Sequence, residues 1–140
     1  MRFVADLHIH SHYSISTSRE LTPARLEHWA SRKGIAVVGT GDATHPGWLA
    51  ELKSCLQPAE EGLFRLREAP PGGPVRFLLS AEVSTIYRRG ERTRKVHHLI
   101  LLPGFAAAEA LQRRLERVGS LVSDGRPVLG LDARQLLEIV

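Results

Sequence analysis

The sequence predicts an α/β protein, and two observations lead to this fold class. Short apolar runs of strand length recur along the chain, each followed by glycines or polar residues. Helix signals fall between these runs, for example Thr22 followed by Pro23 at a helix start and Gly34 at its end. Strands that alternate with helices are typical of a layered sheet or a (β/α) barrel.

The predicted strands are apolar runs bounded by turn residues, and in chain order they lie in residues 1–4, 35–46, 75–84 and 95–102. The predicted helices lie between Pro23 and Gly34, over residues 48–56 and 105–118, and after an N-cap at Asp132. Residues 60–67 fit either a short strand or a loop, and the proline- and glycine-rich residues 69–74 predict a loop.

Each predicted strand carries a side chain of a metal-binding type near one end. His8 and His10 follow the first run, Asp42 follows the second, Glu82 ends the third, and a pair of histidines opens the fourth. Parallel sheets and barrels place their chemistry at one end of several strands, so we expect these side chains to form one site. Imidazole and carboxylate groups together favour a divalent metal.

Strand geometry ranks the remaining candidates. Successive side chains on a strand face opposite sides, so only one of His97 and His98 can face the site. His12 and His45 are second-rank candidates for metal ligands. Asp6 is better placed to orient an imidazole than to bind a metal.

At these residues the chain resembles the polymerase-and-histidinol-phosphatase (PHP) superfamily of metal-dependent phosphoesterases. Within that superfamily it is most similar to the endonuclease Q branch. The similarity spans essentially the whole chain and is carried by the segments ADLHIHSHYSISTS, GIAVVGTGDATHPGWLAELK, FLLSAEVSTIYRRGERTRKVHHLILLP and GSLVSDGRPVLGLDARQLLEIV. The resemblance implies a metal-dependent DNA endonuclease of DNA repair that nicks on the 5′ side of deaminated bases.

The resemblance also implies a role for each residue. The residues that would bind metal, and act in catalysis through it, are His8, His10, Asp42, Glu82 and His97. The complete site would hold two or three divalent ions (zinc, manganese or magnesium), with Glu82 bridging two of them. Asp42 stands where many members of the superfamily have a histidine. Because a carboxylate is a harder ligand than imidazole, this difference shifts the site toward magnesium or manganese.

The superfamily completes its metal centre with further histidines and an Asp-x-His motif, whereas no histidine follows His98 in this sequence. A full barrel typically has about 250 residues, and this chain has 140. We therefore expect residues 1–140 to be the N-terminal portion of a PHP-type distorted (β/α) barrel, truncated here. We expect that portion alone to be inactive or nearly so.

Basic residues are concentrated in one predicted hairpin. The net charge is +4, and five cations surround the turn at Gly90: Arg88, Arg89, Arg92, Arg94 and Lys95. A cationic arm beside a metal centre can hold a phosphate backbone, so we predict contacts with damaged duplex or single-stranded DNA. A solvated hairpin tip explains the same pattern equally well.

Composition limits the cellular setting. The single cysteine, Cys55, excludes an internal disulfide and favours a reducing cytoplasm. The sequence has no apolar run of about eighteen residues that would predict a membrane span. Two other functions fit: a PHP-type phosphomonoesterase such as a histidinol-phosphate phosphatase, and a non-catalytic fragment that binds nucleic acid or docks on a partner. The oligomeric state stays open.

Overall fold

The computed structural model describes residues 2–69 and 73–140, and its centre is a mixed β-sheet with helices between some of its strands. In chain order the elements are β1 (Val4–Asp6), α1 (Pro23–Lys33), β2 (Ile35–Gly39), α2 (Pro46–Cys55), β3 (Leu56–Pro58), β4 (Phe64–Leu66), β5 (Arg76–Arg89), β6 (Arg92–Leu102), α3 (Phe105–Leu115), β7 (Val128–Leu129) and α4 (Ala133–Ile139). The α/β class is confirmed. None of the helices in the described residues is both long and apolar enough to cross a membrane.

The sheet has a parallel part and an antiparallel part that share β5. β1, β2 and the first residues of β5 run parallel in that order. β4 and β3 extend the sheet antiparallel on the other side of β5. The later part of β5 forms a long antiparallel hairpin with β6 and pairs in parallel with β7. Over the described residues the sheet is open, and the carboxyl ends of β1 and β2 lie at one edge.

β5 is longer than the strand that the sequence predicts, and this changes the place of Glu82. The pairing with β2 stops at Leu78, opposite Gly39. Beyond that point β5 pairs with β6, so its backbone hydrogen bonds continue to the hairpin turn. Glu82 therefore lies in the middle of a strand rather than at its end, just past the edge where β2 stops. His97 likewise lies inside β6 rather than at its start.

The helix signals read from the sequence are confirmed. The Thr22 side chain accepts from the backbone N–H of Arg25 and caps α1, and Gly34 ends that helix in the left-handed conformation with φ of 71°. Asp132 and Gln135 form a capping box at the start of α4. Caps of this kind depend only on neighbouring residues, which explains why the sequence locates them.

The strand predictions are less accurate at the sheet edges. Met1 lies outside the described residues. Over residues 2–4 the expectation of a buried strand is wrong: β1 begins at Val4, whose exposed fraction is 58%. β1 is the edge of the sheet, and no described strand pairs with its outer side. Residues 60–67 do contain a short strand, β4. Its partner β3 was not predicted, because a short segment containing Pro58 has no strand periodicity. Residues 70–72 of the predicted loop lie outside the described residues.

Trp48 anchors α2 against the loop that follows β2. Its side chain is fully buried, as is that of Phe77 in β5, and both belong to the main hydrophobic core. The indole Nε1–H donates to the carbonyl oxygens of Thr40 and Gly41 at 3.2 and 2.9 Å. The core therefore fixes the backbone that presents the next residue, Asp42.

Candidate metal centre

Three of the predicted ligands meet beyond the ends of β1 and β2. The ligand atoms of His8, His10 and Glu82 all lie within 4.8 Å of one another. Glu82 Oε2 is 2.7 Å from Nε2 of His8 and 3.0 Å from Nε2 of His10. Glu82 is buried, with 2% of its side chain exposed, whereas His8 is 55% exposed. The three-residue group is therefore buried on the side of Glu82 and open to solvent on the side of His8.

The donor set fits a divalent metal ion. Two ligands bound at about 2.1 Å to a tetrahedral ion lie about 3.4 Å apart. The observed nitrogen-to-oxygen distances of 2.7 and 3.0 Å are slightly shorter, so a small outward shift of the side chains would admit an ion. Two imidazoles and a carboxylate are ligands that zinc and manganese accept. His8, His10 and Glu82 thus form a possible metal-binding group.

His97 reaches the same carboxylate from β6. The register places His97 opposite Ser84, two residues from Glu82 and on the same face of the hairpin. Its Nδ1 is 2.5 Å from Oε1 of Glu82, the oxygen that the other two histidines leave free. His98 points to the opposite face, where its Nε2 is 3.0 Å from the hydroxyl of Thr85. Of the two histidines, the structure brings His97 to the group.

Asp42 lies behind His10 and is fully buried. Its Oδ1 is 2.9 Å from Nδ1 of His10. Its Oδ2 accepts from the backbone N–H and hydroxyl of Ser11, both at 2.7 Å, and from the hydroxyl of Ser14 at 2.9 Å. Burial raises the pKa of Asp42, but these hydrogen bonds outweigh it and hold the pKa below its usual value. The orienting role predicted for Asp6, which is exposed, is filled here by Asp42.

The charges of the site raise the pKa of His10 and lower the pKa of Glu82. The hydrogen bond to Asp42 raises the pKa of His10, and burial only partly offsets this effect. Burial raises the pKa of Glu82. This effect is outweighed by the hydrogen bond and charge of His8 and by the charges of His10 and Arg126, so the pKa of Glu82 lies below its usual value. Each nitrogen of His10 faces a carboxylate: Nδ1 faces Asp42 and Nε2 faces Glu82. A metal ion bound at Nε2 would take the place of a proton there.

Glycines allow the loop after β2 to pass close to the histidine segment. A Cβ added at Gly39 would lie 2.5 Å from the carbonyl oxygen of Leu7, and one at Gly41 would lie 2.2 Å from that of Ile9. Gly41 also has φ of 61°, a left-handed conformation that glycine adopts without strain. These contacts explain why the apolar run of β2 ends in glycines immediately before Asp42.

His12 and His45, the second-rank candidates, lie outside the three-residue group. Nε2 of His12 is 2.8 Å from a carboxylate oxygen of Glu51 on α2. Nδ1 of His45 accepts from the backbone N–H groups of Gly47 and Trp48 and caps α2, while its Nε2 is 3.3 Å from the carbonyl oxygen of Val122. Both nitrogens of His45 are thus in use. A histidine directly before a proline at the first helical position was an available signal for this cap.

Arg126 is the site residue that sequence reasoning missed. Its Nη1 is 3.8 Å from Oε1 of Glu82, and 35% of its side chain is exposed. The residue follows Gly125 in a loop between α3 and β7, far along the chain from the histidine motif. The only signal was a cation within a turn sequence, Asp124-Gly125-Arg126-Pro127, and turn sequences are common on surfaces.

The basic hairpin is exposed, and its register divides the five cations. Cross-strand pairs are Arg88 with Thr93, Tyr87 with Arg94, and Ile86 with Lys95. Side chains alternate along a strand, so Arg88 and Lys95 share the face of Glu82 and His97. The cations on the opposite face are Arg89, Arg92 and Arg94.

Comparisons with known proteins give relatives that are much longer than this chain. No family model matches it. An uncharacterized protein of Methanocaldococcus jannaschii is 33% identical over 136 residues, which make up 96% of this chain and 14% of that protein.

Two solved structures also resemble the chain. The crystal structure of the lesion-specific endonuclease PfuEndoQ from Pyrococcus furiosus has a TM-score of 0.79 and 33% sequence identity, covering 96% of this chain and 31% of that one. A crystal structure of endonuclease Q in complex with a 27-mer duplex substrate, which has an abasic lesion at the active site, gives the same values. The chain therefore spans less than a third of either solved chain.

Proposed function

We propose that this chain is part of a metal-dependent DNA endonuclease that nicks DNA at deaminated or abasic positions. The observation that carries the proposal is the likeness to the lesion-specific endonuclease of Pyrococcus furiosus, at 33% identity and a TM-score of 0.79 over 96% of the chain. The PHP type, and the assignment of residues 1–140 to the N-terminal portion of its distorted barrel, are supported by the motifs around His8, Asp42 and Glu82. On this proposal the enzyme acts in the cytoplasm.

The geometry of the carboxylate supports a centre with more than one ion. One oxygen of Glu82 faces His8 and His10, and the other faces His97. A carboxylate presented in this way can bridge two ions, while Asp42 either orients His10 or binds a neighbouring ion. Zinc, manganese and magnesium are the candidates. When bound, two divalent ions would lower the pKa of a bound water and neutralise charge on the scissile phosphate.

In this proposal the side chains around the metal site orient the ligand His10 and bury the carboxylate of Glu82. Asp42 fixes which nitrogen of His10 faces the open side of the site. The buried position of Glu82 keeps water away from one side of the carboxylate. No serine or cysteine nucleophile is needed on this proposal, because divalent ions held by His8, His10 and Glu82 would supply the activation of a water for attack.

The hairpin offers a surface for the DNA backbone. Arg88 and Lys95 extend from the same face of β5 and β6 that presents Glu82 and His97. Phosphate contacts of this kind position a duplex without reading its sequence. Specificity for a lesion would then come from the lower cost of unstacking a damaged or mispaired nucleotide.

The test is a chimera in which this chain replaces the matching segment of the Pyrococcus furiosus endonuclease. With manganese or magnesium, we expect it to nick a labelled duplex containing uracil, hypoxanthine or an abasic site and to spare undamaged duplex. A chimera carrying His8→Ala and His10→Ala is the matched control and should not nick. We expect the 140-residue chain alone to be inactive or nearly so.

Two outcomes would count against the proposal, and a third would overturn the expectation that the short chain is inactive. A folded, metal-loaded chimera that hydrolyses p-nitrophenyl phosphate without nicking DNA would favour a phosphomonoesterase. A chimera that binds DNA but neither nicks it nor hydrolyses p-nitrophenyl phosphate would favour a non-catalytic role for this segment. Robust lesion-specific nicking by the short chain would show that its own residues complete the site.

A further inference from the structure

Arg126 enters the candidate metal centre from a loop outside the metal-binding motifs. The loop precedes β7, and Arg126 lines a cleft of about 60 Å³ together with His10, Ser14 and Thr17. The cleft opens to solvent beside the imidazole of His10. The guanidinium therefore shares one small opening with the predicted ligands.

The backbone on both sides of Arg126 is fixed. Oδ1 of Asp124 accepts from the backbone N–H of Arg126 and from that of Ile15, both at 3.2 Å. The backbone N–H of Gly125 donates to the carbonyl oxygen of Tyr13 at 3.0 Å. On the other side, the carbonyl oxygen of Pro127 accepts from Ser84 in β5 at 2.9 Å. The loop is thus tied to the histidine segment and to the strand that carries Glu82.

Within the described part of the chain, the guanidinium of Arg126 has no hydrogen-bond partner. Nε is buried and has no partner among residues 2–69 and 73–140. Nη1 is 3.8 Å from Oε1 of Glu82, which is beyond hydrogen-bond distance. A buried donor without a partner is destabilising, because it has lost its hydrogen bonds to water. A bound metal ion would draw on the same carboxylate, which leaves the Arg126 donors free for another anion.

We infer that Arg126 binds the non-bridging oxygens of the phosphate that is hydrolysed at this centre. The planar guanidinium matches phosphate with two parallel N–H donors. Its positive charge would offset the repulsion between the phosphate and the carboxylates of Asp42 and Glu82. The inference rests on the proposed function for the identity of this phosphate as a DNA phosphodiester.

A purely structural role makes a different prediction. If Arg126 only neutralises Glu82, its removal should disturb the carboxylate and lower metal affinity, and Arg126→Lys should restore both. If Arg126 binds phosphate, metal affinity should change little. In that case Arg126→Lys should recover phosphate binding only in part, because an ammonium lacks the two-pronged geometry.

The experiment measures binding of inorganic phosphate to the manganese-loaded 140-residue chain by titration calorimetry. We expect Arg126→Ala to weaken phosphate binding about tenfold or more, as for loss of a hydrogen bond to a charged group. Arg117→Ala, which changes an exposed arginine beyond α3, is the matched control and should bind phosphate normally. Metal content is measured on the same samples. Equal phosphate affinity in Arg126→Ala, no phosphate binding by the unaltered chain, or metal lost together with phosphate would each overturn the inference.

The chimera separates this inference from the proposed function. If it never nicks DNA while phosphate binding still depends on Arg126, the anion site stands and the endonuclease proposal fails. If it nicks and Arg126→Ala and Arg126→Lys nick at the unaltered rate, the inference fails alone. We expect Arg126→Ala to lower the nicking rate about 100-fold. A neutral methylphosphonate at the scissile position should slow the unaltered chimera strongly and the Arg126→Ala chimera little further.

Discussion

Oδ1 of Asp42 lies 2.9 Å from Nδ1 of His10, and the opposite nitrogen of the same ring faces Glu82 at 3.0 Å. Asp42 is fully buried, and hydrogen bonds from Ser11 and Ser14 hold its other oxygen. The carboxylate therefore fixes both the ring plane and the position of the proton. With a metal ion bound at Nε2 of His10, this would be a carboxylate–histidine–metal arrangement, in which a second residue orients a ligand and raises its basicity.

The first prediction concerns Asp42→Asn. An amide has no negative charge to hold the proton of His10 on Nδ1, so we expect affinity for manganese to fall about 10- to 100-fold with unchanged stoichiometry. A competitive titration against a metal-binding dye measures both quantities, with thermal unfolding as the control for folding. Loss of one whole ion per chain would instead identify Asp42 as a ligand, as the sequence suggests.

The second prediction uses the adjacent histidines of β6 as a matched pair. His97 contacts Glu82, whereas His98 lies on the other face with Thr85. His97→Ala should reduce metal affinity or stoichiometry, and His98→Ala should leave both unchanged. Elemental analysis of gently purified protein, with a His8→Ala/His10→Ala variant as the metal-free reference, makes the comparison. Equal losses in the two single variants would contradict the assignment of faces.

The sequence locates those parts of the fold and site that depend on neighbouring residues. The caps at Thr22 and Asp132 follow from side-chain-to-backbone bonds within one helical turn, and they are where the sequence puts them. The rule that parallel strands bring their carboxyl ends together predicts the meeting of His8 with Glu82, although Glu82 lies within β5, just past the point where its pairing with β2 stops. Arg126 could not be found in this way, because its place depends on a loop docked from far along the chain.

The incorrect predictions concern features that neighbouring residues alone do not determine. The sequence predicts a buried strand at Val4 because Val4 ends an apolar run, but β1 is the edge of the sheet, and no described strand pairs with its outer side. Glu82 was expected at a strand end, but the hairpin extends β5 beyond its parallel partner. His45 has the composition of a ligand and serves as a helix cap. In each case a long-range contact or a competing local role decides the outcome.

The third prediction separates the two faces of the basic hairpin. Arg88 and Lys95 share the face of Glu82, whereas Arg89 and Arg92 lie on the opposite face. Changing the first pair to alanine should weaken DNA binding and lower the magnitude of the log–log salt slope by about 1.8, from about 0.9 for each lost phosphate contact. Changing the second pair removes the same charge and should have a clearly smaller effect. Equal slopes for the two double variants would show that only net charge matters.

The fourth prediction tests the close packing of Gly125. A Cβ at this position would lie 2.4 Å from the carboxyl carbon of Asp42 and 2.5 Å from the hydroxyl of Ser14. Gly125→Ala should therefore displace the loop or the carboxylate, with a loss of about 1–3 kcal/mol in the free energy of unfolding. Gly130→Ala is the control, because nothing lies within 4 Å of its added Cβ. Urea denaturation of both variants decides the point, and equal stabilities would contradict the packing.

The last prediction concerns the pH dependence of the cap on α2. Burial lowers the pKa of His45 below its usual value of 6.5, and the charge of His12 lowers it further. The carbonyl of Val122 and the charges of Asp42 and Asp124 raise the pKa, but by less. Only the neutral ring can accept from the helix backbone through Nδ1. The stability that this cap contributes is therefore fully present above the unfolded-state pKa near 6.5 and is lost as the pH falls through the lower folded-state value.

Two variants isolate this effect from the other titrating groups. His45→Asn keeps a cap that does not titrate, and His45→Ala removes it at a cost of about 1 kcal/mol. At pH 7.5 we expect the unaltered chain to match His45→Asn and to exceed His45→Ala in free energy of unfolding. At pH 5 it should fall below His45→Asn, because the unfolded chain then binds a proton that the folded cap excludes. A constant difference between the unaltered chain and His45→Asn at the two pH values would show that His45 does not titrate through its cap.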